Sequence, residues 1–155
     1  MEERFKATQK ASVLGIIGNI FLLIIKAIVG VITRSQAMIA DSMNSAGDIF
    51  SSLMTYIGNK IASKPKDDDH NLGHGKAEYI FSMLVSISMI FVSITLVKGS
   101  IKALIAQNGY TFSWWLVVVC LTTILVKAML YIYTHSMAKK YNNILLEANA
   151  KDHIN

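Results

Sequence analysis

Apolar residues gather along this chain in long blocks separated by short polar stretches, and the blocks set the fold expectation. Ser12 to Ile32 is almost unbroken and, at about 1.5 Å per helical residue, is long enough to cross a hydrocarbon core of about 30 Å. Tyr79–Ile105 and Tyr110–Thr134 read the same way. Gln36–Ala62 has a span's length but carries Asp41, Asn44 and Asp48 amid Ser, Ala and Gly, so average hydropathy alone would not select it. A helical pattern restarts near Asn143. The predicted fold class is all-α: an integral membrane helical bundle forming one transmembrane domain over 1–155. Its spans are 12–32, 36–62, 79–105 and 110–134, with a partial fifth over 143–155.

Composition sharpens this picture. Hydrophobic residues make up 53% of the chain and charged residues 16%, against roughly 25% charged in a soluble domain. The formal charge is +5, but the bases cluster at the ends of apolar blocks, where they orient helices in a bilayer; no basic patch suited to nucleic acid is expected. Arg4, Lys6, Lys10, Lys60, Lys64, Lys66, Lys76, Lys139 and Lys140 fall on one side, and Arg34, Lys98 and Lys102 on the other. The positive-inside rule then predicts a cytoplasmic N-terminus and a cytoplasmic segment 63–78 in a multi-pass cell-membrane protein. The single cysteine, Cys120, lies in an apolar run and is read as a packing residue. The polar start MEERFKATQK precedes a block too long for a signal-peptide core, so the first span is expected to be retained. Trp114, Trp115 and Tyr110, with Tyr131, Tyr133 and Tyr141 opposite, suit two interfacial belts.

The candidate chemistry lies where charge enters apolar sequence. Asp41, Asn44 and Asp48, spaced i, i+3, i+7, share one helix face. A charge at mid-membrane costs about 2.5–3.5 kcal/mol on insertion scales, so the stripe calls for a cavity, a cation or a base. Lys26 and Lys127, inside other spans, are the alternative partners. The small residues Ala40, Ser42, Ser45, Ala46, Gly47, Ser51 and Ser52 permit close helix packing and serve a bundle as readily as a transport path. In NNILLEANAKDHIN, Asp152 is the preferred ligand. His153 projects about 100° away and is read as supporting or interfacial. Asp67, His70 and His74 repeat the i, i+3, i+7 spacing in the polar segment, offering carboxylate and imidazole to Zn²⁺ or a similar ion, or forming only a solvated loop. His135 is read as interfacial.

At these residues the chain resembles the cation diffusion facilitator family. SQAMIADSMNSAGDIFSS looks like its second transmembrane helix, KDDDHNLGHGKAEYIFSML like its loop into helix three, and LEANAKDHIN like the opening of helix five. The resemblance implies a homodimeric exporter in the bilayer that moves divalent metal out of the cytoplasm in exchange for protons, with no enzymatic activity and no cofactor. It implies a transport site using Asn44, Asp48 and Asp152, with Asp41 in possible support, and a loop site of Asp67, His70 and His74. The fourth transport ligand would fall at position 156, after the last residue given, as would helix six and the family's C-terminal cytoplasmic domain. The chain is therefore expected to be an incomplete fragment that does not transport by the family mechanism as it stands. An amide and carboxylates without imidazole favour Mn²⁺, with Zn²⁺ and Fe²⁺ as other candidates. Two alternatives belong to other classes. A small four-span multidrug-type transporter would need an essential Glu in span one, where this chain has Asn19 and Lys26; a non-transporting membrane module would not bind metal.

Overall fold

The computed structural model describes residues 2–65, 73–106 and 112–154. Among them the chain is all-α, with five helices: α1 (Glu2–Ile32), α2 (Gln36–Ala62), α3 (Ala77–Ala106), α4 (Trp114–Tyr141) and α5 (Ile144–Asp152). α1 packs on α2 and α4, α2 on α3, and the short α5 sits against α2, α3 and α4. Three helices are long and apolar enough to cross a membrane by length and composition: Glu2–Ile32, Ala77–Lys102 and Trp114–Tyr141. α2 falls short of that measure because of its polar stripe, although its bounds coincide with the predicted 36–62.

α3 exceeds its predicted span by two residues at its start and one at its end, and two helices run well beyond theirs. α1 begins at Glu2 rather than Ser12, and contacts to other elements hold the extension. Arg4 pairs with Glu78 at 2.7 Å, Gln9 donates to the Tyr56 hydroxyl at 3.1 Å, and Asn59 Nδ2 donates to the Phe5 carbonyl at 3.2 Å. α4 begins at Trp114, after Ser113 in extended conformation, and continues past Thr134 to Tyr141. Lys139 and Lys140 in its last turn suit the negative end of the helix dipole. Hydropathy locates the apolar part of a helix; backbone hydrogen bonding continues until something stops it.

The stops are two matching caps. Arg34 (φ 53°) and Asn142 (φ 46°) take the left-handed conformation. The amide after each reaches back to a carbonyl five residues earlier, Ser35 N to Gly30 O at 2.9 Å and Asn143 N to Ala138 O at 3.0 Å, which is the Schellman arrangement. Each cap hands over at once to the next helix. Ser35 Oγ accepts from Met38 N to open α2, and Asn143 Oδ1 accepts from Leu145 N and Leu146 N to open α5. Asn143 Nδ2 also donates to Thr8 Oγ1 at 3.0 Å, tying the start of α5 to α1.

The molecule buries polar groups and displays apolar ones. Thr8, Ser12, Asn19, Lys26, Ser45, Ser51, Ser52, Thr55 and Asn149 are all fully buried, while Ile17, Ile28, Ile90, Phe91, Leu121, Leu125 and Met129 are exposed. A water-soluble fold cannot show so large an apolar surface, whereas lipid accepts it. The hydroxyls are satisfied largely within their own helices, as Ser12 Oγ and Thr55 Oγ1 are by carbonyls one turn back. Close approach depends on glycine at selected points. A Cβ on Gly58 would lie 2.6 Å from Phe81 Cβ, and one on Gly30 would lie 3.0 Å from the Ile39 backbone nitrogen.

Candidate metal centre

α2 positions most of the site. Ser35 starts the helix, and its small residues let α1, α3 and α5 close around it, so the stripe beginning at Asp41 faces inward. The structure divides that stripe into two environments. Asp41, with a side chain 44% exposed, pairs with Lys26 Nζ at 2.9 Å, and the buried Lys26 also donates to Ser45 Oγ at 3.1 Å. Asp41 thus makes an ion pair with one of its two alternative bases and is absent from the cavity lining. Asp48, two turns on, is 3% exposed and pairs with Lys127 Nζ of α4 at 3.0 Å. Its Oδ2 nevertheless makes no hydrogen bond, so this contact is a charge pair without hydrogen-bond alignment.

Asn44 and Asp48 line a cavity of about 60 Å³ together with Gly47, with Ser88, Met89, Val92, Ser93 and Leu96 of α3, and with Asp152 of α5. Asp152 is 6% exposed, and its Oδ2 has no hydrogen-bond partner. The cavity therefore brings together two carboxylates and one amide, with nearby serines, in space for an ion and little more. Among the described residues no three His, Cys, Asp or Glu side chains converge. An ion held here would take oxygen from Asn44, Asp48 and Asp152 and complete its shell from other oxygens. Hard divalent ions accept that set.

α5 separates its last two polar residues. Asp152 lines the cavity, and His153 does not. His153 is buried rather than interfacial, 2% exposed, and a Cβ on Gly15 of α1 would lie 3.6 Å from its Cε1. Neither ring nitrogen has a hydrogen-bond partner. Beside it Asn149 Oδ1 accepts from Ser51 and Ser52 of α2 at 3.2 and 3.3 Å, a clamp the sequence reading did not single out. The available signal was the i, i+3 spacing of Asn149 and Asp152 in LEANAKD.

The loop candidates are only partly described. Asp67 and His70 lie outside the described residues, and His74 Nδ1 is 3.3 Å from the Pro65 carbonyl oxygen. His135 stacks on Tyr131 with ring centroids 5.1 Å apart, in the belt region predicted for it. Cys120 is exposed on α4 rather than packed within the bundle.

Comparison with known proteins agrees with the architecture. The chain is 36% identical over 140 residues to the magnetosome protein MamM of Magnetospirillum gryphiswaldense, covering 90% of this chain and 44% of that protein. It is 32% identical over 148 residues to an uncharacterized transporter of Methanocaldococcus jannaschii, covering 96% of this chain and 52% of the relative. It is 30% identical over 151 residues to the manganese efflux system protein MneP of Bacillus subtilis, covering 97% and 50%. The chain thus spans about half the length of the curated relatives it matches. No solved structure matches it significantly. The profile of the cation efflux transmembrane domain matches residues 12–155, and the chain belongs to that family, the cation diffusion facilitators, within its membrane domain.

Proposed function

We propose that this chain carries the cation site of a divalent-metal exporter, with Mn²⁺ as the preferred cargo, Zn²⁺ and Fe²⁺ as lesser ones, and protons as the exchanged ion. The observation that carries the reading is the cavity that Asn44, Asp48 and Asp152 line together, among helices whose outer faces are apolar. Oxygen donors without imidazole favour a harder ion, and one similar protein is named a manganese efflux system protein. Protons compete for the same carboxylates, so metal and proton alternate at Asp48 and Asp152. Asp41, on the same face of α2 as Asn44 and Asp48, supports the site by neutralising Lys26 of α1. Asp67, His70 and His74 form a separate loop site that takes a second metal equivalent.

The same reading places four helices across the cell membrane, with α2 as the span that hydropathy misses and α5 entering from the cytoplasmic side. α2 has 27 residues, about 40 Å of helix, and its inward polar face is shielded by α1, α3 and α5. The excess of Lys and Arg at the ends of α2 and α4 and before α1's apolar part favours a cytoplasmic N-terminus. The family resemblance supports a homodimer.

The test is metal binding by the purified chain in detergent. Wild type binds Mn²⁺, and Asn44→His raises the ratio of Zn²⁺ to Mn²⁺ affinity because imidazole replaces an amide oxygen. A ratio that does not move would remove Asn44 from the site. Absence of Mn²⁺ binding in wild type would sink the cation-site reading.

A further inference from the structure

We infer that Lys127 is a built-in competitor of the transported cation: its ammonium occupies Asp48 when the site is empty and is displaced when metal enters. The inference rests on the reading that Asp48 and Asp152 receive the metal. α4 is otherwise largely apolar toward its surroundings, yet at Lys127 it sends a cation inward to a carboxylate that lines the cavity. The two side chains are 13% and 5% exposed, so water screens the pair weakly.

Comparison with the other intramembrane lysine shows what is unusual here. Lys26 has two acceptors, Asp41 at 2.9 Å and Ser45 at 3.1 Å, and its carboxylate is half in the open. That pair can persist whatever happens in the cavity, because Asp41 does not line it. Lys127 has Asp48 as its recorded partner, and Asp48 is the residue a metal would need. A divalent ion on Asp48 would sit a few ångströms from the ammonium. At that range in a weakly screened interior, like charges repel strongly, so one carboxylate cannot hold both at full strength. The lysine therefore covers a buried anion in the empty carrier, which would otherwise be left bare, and it weakens the grip on the cargo. A carrier needs both, because an ion held too tightly is never released.

The experiment is Mn²⁺ binding to the purified full chain in detergent at fixed pH, for wild type, Lys127→Met, Lys127→Arg and Asp48→Asn. Lys127→Met is expected to bind on the order of tenfold tighter or more, because the competing charge is gone, while Lys127→Arg binds no tighter than wild type. Equal or weaker binding by Lys127→Met would overturn the inference, since a lysine that merely supports Asp48 gives that result. A measurement on wild type decides the matter should Lys127→Met fail to fold. With ¹⁵N-lysine labelling, the Lys127 Nζ resonance is expected to shift on saturation with Cd²⁺ alone, and an unmoved resonance overturns displacement. The two readings fail separately. If wild type binds Mn²⁺ and Asp48→Asn weakens it while the lysine results go the wrong way, the competitor idea alone falls. If wild type binds no Mn²⁺, or Asp48→Asn binds as wild type does, the metal role of Asp48 falls as well.

Discussion

Helices α2 and α3 lie side by side and use their surfaces in opposite ways. α2 turns Ser42, Ser45, Asp48, Ser51, Ser52, Thr55 and Asn59 inward and leaves Met43, Phe50 and Leu53 outside. α3 turns Ile80, Met83, Ile87, Ile90, Phe91 and Ile94 outward and contributes two serines to the cavity. Both are long helices in the same bundle, yet only α3 has a hydropathy that announces a membrane. The difference shows that the average apolarity of a helix matters less than the direction in which its polar groups point. A helix can be rich in serine and aspartate and still suit lipid, provided its neighbours take the polar face.

The strongest way to break this contrast is to remove the chemistry from the inward side. Asp152→Asn should lower Mn²⁺ affinity by about a hundredfold or more, measured by calorimetry on the purified chain, with helicity retained. Unchanged affinity would reduce the polar interior to packing. The next lever is the outward side. Ile90, 60% exposed on α3, should tolerate no charge. Ile90→Asp is expected to cost about 2.5–3.5 kcal/mol in membrane insertion, read as the inserted fraction in microsomes. Efficient insertion would mean that this face meets water or a polar partner. The smallest effect concerns the seam between the two helices. Gly58→Ala should lower stability by about 1–3 kcal/mol in detergent unfolding, because the new Cβ meets Phe81 at its own Cβ, which cannot swing away. Leu125→Ala on the exposed face of α4, the control in that measurement, should stay within about 0.5 kcal/mol.

What the sequence disclosed follows the range of the interactions involved. The bounds of α2 were legible at both ends because local signals mark them: the capping Ser35 before it, Lys60 in its last turn, and Ser63 and Pro65 after it. The stripe of Asp41, Asn44 and Asp48 was legible because helical spacing alone aligns it. The division of that stripe was not. Whether Asp41 or Asp48 meets Lys26 or Lys127 depends on how three helices pack, and no local pattern carries that. The same holds for the beginning of α1. Glu2–Lys10 looks like a polar leader until Glu78, Tyr56 and Asn59, distant in sequence, hold it as helix. The burial of His153 has the same origin, since Gly15, which its ring approaches, lies on another helix far away in sequence.

Asn143 gives the short α5 a fixed phase. Its side chain both opens the helix and bonds to Thr8, so the nine residues of α5 start from a pinned reference and deliver Asp152 to the cavity by counting turns. Each residue added or removed between that pin and the cavity turns everything beyond it by about 100°. Loss of one residue from 144–148 would swing His153 into the angle now held by Asp152, and gain of one would bring Lys151 there instead. The first exchange offers a nitrogen where there was oxygen, and the second a positive charge where there was a negative one. The side chain that α5 offers to the proposed cation site is thus set partly by the length of a helix, and an indel could exchange it without a single substitution.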